Sequence, residues 1–364
     1  MFRNKAKIGL ALSGGGMRAA VFHLGVMKFL AQRGRLEEVR AVSTVSGGSF
    51  SIGLILSVNG YRWPTSEEYL QKALPSAKHI ILSHNIETAL IGSKVKCLGC
   101  DTSELLAEAL HREWGISGNL QDLPSALRWE INSVTFETAE NFRFSRALMG
   151  DPELGYAMDP PFPLPHALAA SAAYPVLIGT YKLDMRPYQW YRDPLGHDPL
   201  PDPPGFSMLW DGGVYDNLGL WALYRPGYGL AKDIDFIVAS DASAPICRQE
   251  WSDDEILRNM LRIWDIKTRE SDSLLLGGLF RDVIKKGNGM YIKTGAPVGD
   301  MIRRCHLPPD ISARLAAESL TPEEVAFVRD YPTNLLSPTQ EDFDLILRHG
   351  YETALAVIYC GNMA

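Results

Sequence analysis

Three short segments of this chain carry residue types that perform acyl chemistry when they meet. The first is Ser13-Gly14-Gly15-Gly16-Met17-Arg18, between an apolar run and an Ala-, Leu- and Met-rich one. Three glycines let the backbone take positive φ, so consecutive N–H groups point into one space. A helix amino terminus behind them adds partial positive charge. Such a bend holds an anion, either a phosphate or the oxyanion of an acyl-transfer intermediate. The second segment is Ser43-Thr44-Val45-Ser46-Gly47-Gly48. A nucleophile on a sharp strand-to-helix bend needs compact neighbours two residues to either side, the G-x-S-x-G pattern. Ser46 has Gly48 after it but Thr44, in place of glycine, before it. Ser43 and Ser49 are rival hydroxyls, and neither has strand and glycine on the correct sides. The third segment is Trp210-Asp211-Gly212-Gly213. An aspartate at a strand end, followed by two glycines, lies at the rim where sites form in parallel sheets.

Other chemistries compete for the same residues. Gly14-x-Gly16-x-x-Ala19 also fits the dinucleotide fingerprint G-x-G-x-x-G/A. That reading needs an acidic residue at the carboxyl end of the second strand to hold a ribose. Glu37 and Glu38 are at about the right separation but precede that strand. No Lys-Ser/Thr pair follows the glycines, so a P-loop does not fit. A Ser-Asp-His order would require a histidine after Asp211. His306 follows two arginines in an expected loop and His349 lies in a helical run, so neither has a strand-end setting. The residues favour a two-residue machine of Ser46 and Asp211.

These segments are positioned by an alternation of strands and helices. Residues 7–12 read as a buried strand, 13–16 as a turn and 17–33 as a helix closed by Gly34. Residues 39–45 form a second, β-branched strand, followed by an apolar helix over 49–58. This order implies parallel strands with helices on both faces. Residues 62–125 interrupt it as a helical insert with breaks at Pro64, Pro75 and Gly115. Strands are expected at 130–136 and 141–145 and a small-residue helix at 166–175. Residues 183–209, rich in proline and holding Tyr188, Trp190 and Tyr191, read as a long surface loop that runs into a strand at 206–210. A buried strand follows at 233–241, helix at 252–285, an edge strand at 289–294 and closing helices over 322–359. With no repeats and no low-complexity linker, the economical organisation is one domain with insertions.

Composition bounds the rest. The chain has 364 residues, 46% apolar and 22% charged, which excludes disorder and coiled coil. Its net charge of −7 argues against nucleic-acid binding as the main task. The opening residues lack a signal-peptide pattern, and no apolar run is long enough to span a bilayer, so a cytoplasmic protein with at most peripheral membrane contact is expected. Cysteines 97, 100, 247, 305 and 360 lack zinc spacing and read as reduced thiols. No metal or cofactor is expected.

In this order the three motifs resemble the patatin-like phospholipases, which share their catalytic arrangement with the cytosolic phospholipase A2 enzymes. The resemblance spans roughly residues 6–243 and includes Ala169-Ala170-Ser171-Ala172-Ala173-Tyr174-Pro175. It implies a three-layer α/β/α fold with a mainly parallel central sheet. The insert at 62–125 and a C-terminal helical extension at 244–364 would be additions to it. It also implies an oxyanion hole at Gly14, Gly15, Gly16 and Arg18, a nucleophile at Ser46 and a base at Asp211. Gly48, Gly212 and Gly213 would be the elbow and base-turn glycines. The implied activity is hydrolysis of carboxylic esters in phospholipids or lysophospholipids. Arg18 is expected either to bind a substrate phosphate or to brace the glycine loop. The aromatics at 188–191, the residues around Ile80 to Leu82 and Leu90 are candidate membrane contacts, weighed against a packed interior. A catalytically silent lipid-binding protein on the same fold and a dinucleotide-dependent oxidoreductase are the alternatives.

Overall fold

The computed structural model describes residues 5–361 apart from 98, 176–177, 247, 252–254 and 306. His306 and Cys247 therefore lie outside the described residues. The chain opens β1 (Ile8–Leu12), α1 (Gly16–Gln32), β2 (Val39–Thr44), α2 (Gly47–Val58), matching the alternation expected. A helical stretch follows: α3 (Ser66–Glu68), α4 (Leu74–Ser83), α5 (Ile86–Lys96) and α6 (Thr102–Trp114). Next come β3 (Arg128–Thr135), β4 (Asn141–Phe144), β5 (Leu148–Asp151), β6 (Gly155–Met158), α7 (Leu164–Ser171), β7 (Tyr181–Asp184), β8 (Trp190–Tyr191) and β9 (Phe206–Asp211). The remainder is α8 (Gly213–Asp216), the hairpin β10 (Tyr224–Arg225) and β11 (Gly229–Leu230), β12 (Phe236–Asp241), α9 (Ile256–Asp282) and β13 (Gly289–Lys293). Four helices end the chain: α10 (Val298–Cys305), α11 (Pro309–Glu318), α12 (Pro322–Asp330) and α13 (Gln340–Cys360).

The sheet order is β13-β12-β1-β2-β3-β4-β5-β6-β8, with β9 paired to both β3 and β7. The first five of these strands are parallel, and β1 and β12 are buried along their whole length, as strands covered on both faces must be. Beyond β3 the pairings are antiparallel. One register detail positions the site. Thr44, the last residue of β2, pairs with Ile131 of β3. Asp211, the last residue of β9, pairs with Ser133, two residues further along β3. Because β4 occupies the other edge of β3 at 131–134, β2 and β9 share one edge and run toward each other. Their carboxyl ends meet head-on.

Helix α1 is buried at nearly every residue and packs on α13. The two helices approach so closely that a Cβ at Gly25 would lie 2.0 Å from the Leu347 carbonyl oxygen, and one at Gly350 would lie 2.1 Å from that of Phe22. The C-terminal helices are thus part of the main core. No helix among the described residues is long and apolar enough to cross a membrane.

Several expectations are corrected. Pro75 does not break the helical insert: a π-helical turn at Tyr69–Ala73 leads straight into α4, which carries Pro75 at its start. Residues 183–209 are not a loose loop. Strand β8 pairs with β6, and Trp190 is buried with its indole N–H donating to the Met185 carbonyl at 2.9 Å. Tyr188 packs half-buried on the same core, and Ile81 and Leu90 are interior, so these side chains do not offer a membrane contact. Cys97–Cys100 and Cys305–Cys360 are disulfides rather than free thiols. The second joins the ends of α10 and α13, whose packing brings residues 55 apart to a Cα separation of 5.3 Å, within bridging range.

Candidate active site

Ser46 stands between the end of β2 and the start of α2 with φ 51° and ψ −118°. A β-carbon-bearing residue tolerates such a conformation only when the surrounding structure enforces it. Here the bend leaves no room to relax. A Cβ at Gly48 would lie 2.5 Å from the Leu12 carbonyl oxygen, and one at Gly47 would lie 2.1 Å from that of Gly16. Thr44 is accommodated because its Oγ1 points away from the bend. It accepts the indole N–H of Trp129 at 2.9 Å and the hydroxyl of Ser49 at 2.9 Å. The departure from G-x-S-x-G is therefore absorbed by a polar contact. The rival hydroxyls are committed elsewhere: Ser43 accepts from the Asn132 amide at 2.9 Å, and Ser49 joins Thr44 to Ser171.

The head-on strand ends bring Asp211 to Ser46. The Asp211 carboxylate lies near the Ser46 hydroxyl, which eases its charge, and its Oδ1 accepts the Gly213 N–H at 2.7 Å. Burial raises the Asp211 carboxyl to about 6, against the lowering effect of those two donors. Gly212 turns tightly beneath it, since a Cβ there would lie 2.5 Å from the Asn132 carbonyl oxygen. Asp216 is buried and likewise raised to about 6, but its oxygens accept the Leu218 and Trp221 amides and shape the following loop.

The glycine bend lies against the same point. Gly15 and Gly16 have φ of 140° and 62°, so the positive-φ reading of the motif holds. Gly14 donates its amide to the Asn217 carbonyl at 3.0 Å, and Met17 donates to that of Asn334 at 2.8 Å. Among the described residues no backbone partner takes the amides of Gly15, Gly16 or Gly47. The last two open α1 and α2, whose amino ends converge here with their partial positive charge.

Arg18 does not reach this space. Its guanidinium is buried and donates to the Ala242 carbonyl at 3.1 Å, the Tyr331 carbonyl and Thr333 Oγ1 at 3.2 Å. It braces the loop. Glu37 lies before β2, bonded to Ser66, at the opposite end of that strand from Ser46. His349 is buried and bonded to Glu352 and to the Gly295 amide.

A family model described as patatin-like phospholipase matches residues 10–224, more than half of the chain. The chain belongs to the patatin-like phospholipase family. Among solved structures, human GIVD cytosolic phospholipase A2 is similar with a TM-score of 0.54 and 14% identity, covering all of this chain and 61% of that one. The same human protein with methyl gamma-linolenyl fluorophosphonate gives 0.47 and 13%, covering 100% of this chain and 60% of that one. VipD from Legionella pneumophila gives 0.40 and 16%, covering 97% of this chain and 67% of that one. The first likeness is one of fold, and this chain spans about three-fifths of the human protein's length. No curated protein sequence matches it.

Membership in this family agrees with the mixed α/β sheet covered by helices. Several supports of the site went unassigned in the sequence. The end of α7 ties the two strand ends together. Ser171 Oγ accepts the Ser46 amide at 3.0 Å, while the Ser171 and Ala173 carbonyls accept the Gly212 and Asp211 amides at 3.4 and 2.9 Å. A lone hydroxyl in the run Ala-Ala-Ser-Ala-Ala was the available signal. His23, lowered to about 4 by burial, bonds the Ser13 carbonyl and the Ser240 hydroxyl beneath the glycine bend. The segment at 331–335 bonds Met17, Arg18 and Glu87, and nothing local in its sequence marks that role.

Proposed function

We propose that this patatin-like phospholipase hydrolyses carboxylic esters of phospholipids or lysophospholipids through an acyl-enzyme on Ser46, with Asp211 as general base. The observation that carries the reading is the meeting of the strained bend at Ser46 with the buried Asp211 carboxylate at the opposing strand end, faced by amides without backbone partners. Asp211 takes the hydroxyl proton as Ser46 Oγ attacks the ester carbonyl. The carbonyl oxygen becomes an oxyanion, for which the amides of Gly15, Gly16 and Gly47 are the available donors. Each such donor contributes about 3–4 kcal/mol to the transition state. The tetrahedral intermediate collapses, the carbon–oxygen bond to the alcohol or lysolipid breaks, and the proton on Asp211 passes to the leaving oxygen. Water, deprotonated by Asp211, then attacks the acyl-enzyme and releases the fatty acid. A carboxyl raised to about 6 is a better base than a free aspartate, whose ordinary value is near 3.9.

Gly14 serves this site through the turn, since its own amide is occupied, and Arg18 serves it by bracing. We read the chain as one hydrolase unit, because a single eleven-stranded sheet carries all three motifs. The test is fatty-acid release from phospholipid and lysophospholipid dispersions by wild type, Ser46→Ala and Asp211→Asn. Release by wild type and its loss in both variants supports the reading. Release by Ser46→Ala at the wild-type rate overturns it. Lipid binding without turnover by wild type favours the silent lipid-binding alternative.

A further inference from the structure

The glycine bend is held from outside the three motifs. Gly16 opens α1 with φ 62°, and a Cβ there would stand 2.6 Å from the Asn334 carbonyl oxygen. That same oxygen accepts the Met17 amide at 2.8 Å. The next residue, Arg18, donates to the Tyr331 carbonyl and to Thr333 Oγ1 at 3.2 Å. The chain between α12 and α13 therefore lies directly on the bend that presents the Gly15 and Gly16 amides. It also decides which amides stay available. The first amides of a helix have no partner within it and take whatever acceptor is near. By engaging Met17, the Asn334 carbonyl fixes the first turn of α1 and leaves Gly15 and Gly16 without a backbone partner among the described residues. The third glycine of the motif is thus required twice, by its positive φ and by the Asn334 peptide resting on it.

A brace must itself be held, and residues 331–339 form neither strand nor helix. Among the described residues, one hydrogen bond ties the backbone of this segment to anything beyond α1 and its own neighbours. The Leu335 amide donates to Glu87 Oε2 at 2.7 Å. Glu87 stands in the first turn of α5, where the helix amino terminus favours a carboxylate. The buried side chains of Ile86 and Leu90 set that turn into the main core, so Glu87 reaches out from a fixed base. The bond spans 248 residues of sequence and joins the helical insert at 62–125 to the C-terminal helices. We propose that Glu87 is a positioning residue of the oxyanion-binding bend, acting through Leu335 and Asn334 on the first turn of α1. The insert and the C-terminal extension then have a shared task, to clamp the amides that face Ser46. This rests on the hydrolase reading above and adds to it a residue that touches neither substrate nor Ser46.

Two variants of the full chain separate reach from charge. Glu87→Asp keeps the charge but is one methylene too short for the Leu335 amide. Glu87→Gln keeps the reach and an accepting oxygen. Hydrogen–deuterium exchange is followed in peptides covering residues 13–22 and 331–336. Alongside it, steady-state kinetics are measured on a short-chain nitrophenyl ester, with inhibition by a long-chain trifluoromethyl ketone, whose hemiketal on Ser46 carries an oxyanion. Glu87→Asp should exchange faster in both peptides and lose about tenfold in kcat with KM unchanged. The ketone should inhibit it about tenfold more weakly. Glu87→Gln should restore wild-type exchange and return kcat to within about twofold of wild type. Unchanged exchange at 13–22 in Glu87→Asp overturns the inference, as does an equal loss in both variants or a change confined to KM. Faster exchange spread over the whole chain overturns it in favour of a general stabilising role. Absence of ester hydrolysis in the wild type refutes the hydrolase reading, while the exchange result still decides whether Glu87 holds the bend.

Discussion

Replacing Asp211 by asparagine should remove activity and stabilise the fold together, with a dependence on pH that follows from burial. The folded-state carboxyl titrates at about 6, against 3.8 for the ordinary group, and the largest cause is desolvation. Between these values the folded protein holds a proton that the unfolded chain has released. Stability contributed by that proton is therefore complete below about pH 4 and is lost as pH rises through 6. A shift of about two units corresponds to about 3 kcal/mol. Asparagine has nearly the same shape, accepts the Gly213 N–H in the same way and carries no charge to desolvate. The stability difference between Asp211→Asn and wild type should grow from pH 4 to pH 7, with the variant gaining about 3 kcal/mol over that range, while its hydrolysis falls at least about a hundredfold. Denaturant unfolding of both proteins at several pH values measures the gap, and groups common to both, including Asp216, cancel. A gap that does not change with pH would refute the reasoning, because Asp211 would then not be a desolvated carboxylate.

Other consequences are more briefly stated. The kcat/KM profile for a soluble ester should fall about tenfold per unit below pH 6, as the base becomes protonated, and a flat profile down to pH 4.5 would exclude Asp211 as base. Ser171→Ala leaves the Ser46 amide without its acceptor, at about 1–3 kcal/mol for an unpaired buried group. Steady-state kinetics should show kcat lowered about tenfold with KM nearly unchanged, whereas a change confined to KM would contradict a positioning role. Arg18→Met leaves the Ala242 and Tyr331 carbonyls unpaired and should destabilise the protein by about 3 kcal/mol in denaturant unfolding. Unchanged stability with a raised KM for phospholipid alone would instead assign Arg18 to a substrate phosphate.

The three motifs were legible because each is local. A triple glycine, a serine before two glycines and an aspartate before two glycines report either positive φ, as at Gly15, Gly16 and Ser46, or a backbone approach too close for a Cβ, as at Gly47, Gly48 and Gly212. The parallel half of the sheet was legible from buried β-branched runs. The route by which Asp211 reaches Ser46 was not. Strand β9 runs antiparallel to β3 and points at the end of β2, and register across separate strands leaves no periodic mark in either one. Trp190 looked like a loop aromatic because prolines surround it, yet pairing of β8 with β6 buries it. The disulfide between Cys305 and Cys360 depends on how α10 packs on α13, which spacing cannot encode. The bracing of the glycine bend from 331–334 is likewise a tertiary fact, made by backbone carbonyls that any residue supplies.

The most direct measurement is the site of covalent capture. Wild-type protein treated with a long-chain fluorophosphonate and digested should yield one modified peptide, with the phosphonyl group on the oxygen of Ser46. Asp211→Asn should react far more slowly, and Ser46→Ala should carry no adduct. Modification of Ser43, Ser49 or Ser171 in its place, or equal labelling of the alanine variant, would contradict the assignment of Ser46 as nucleophile.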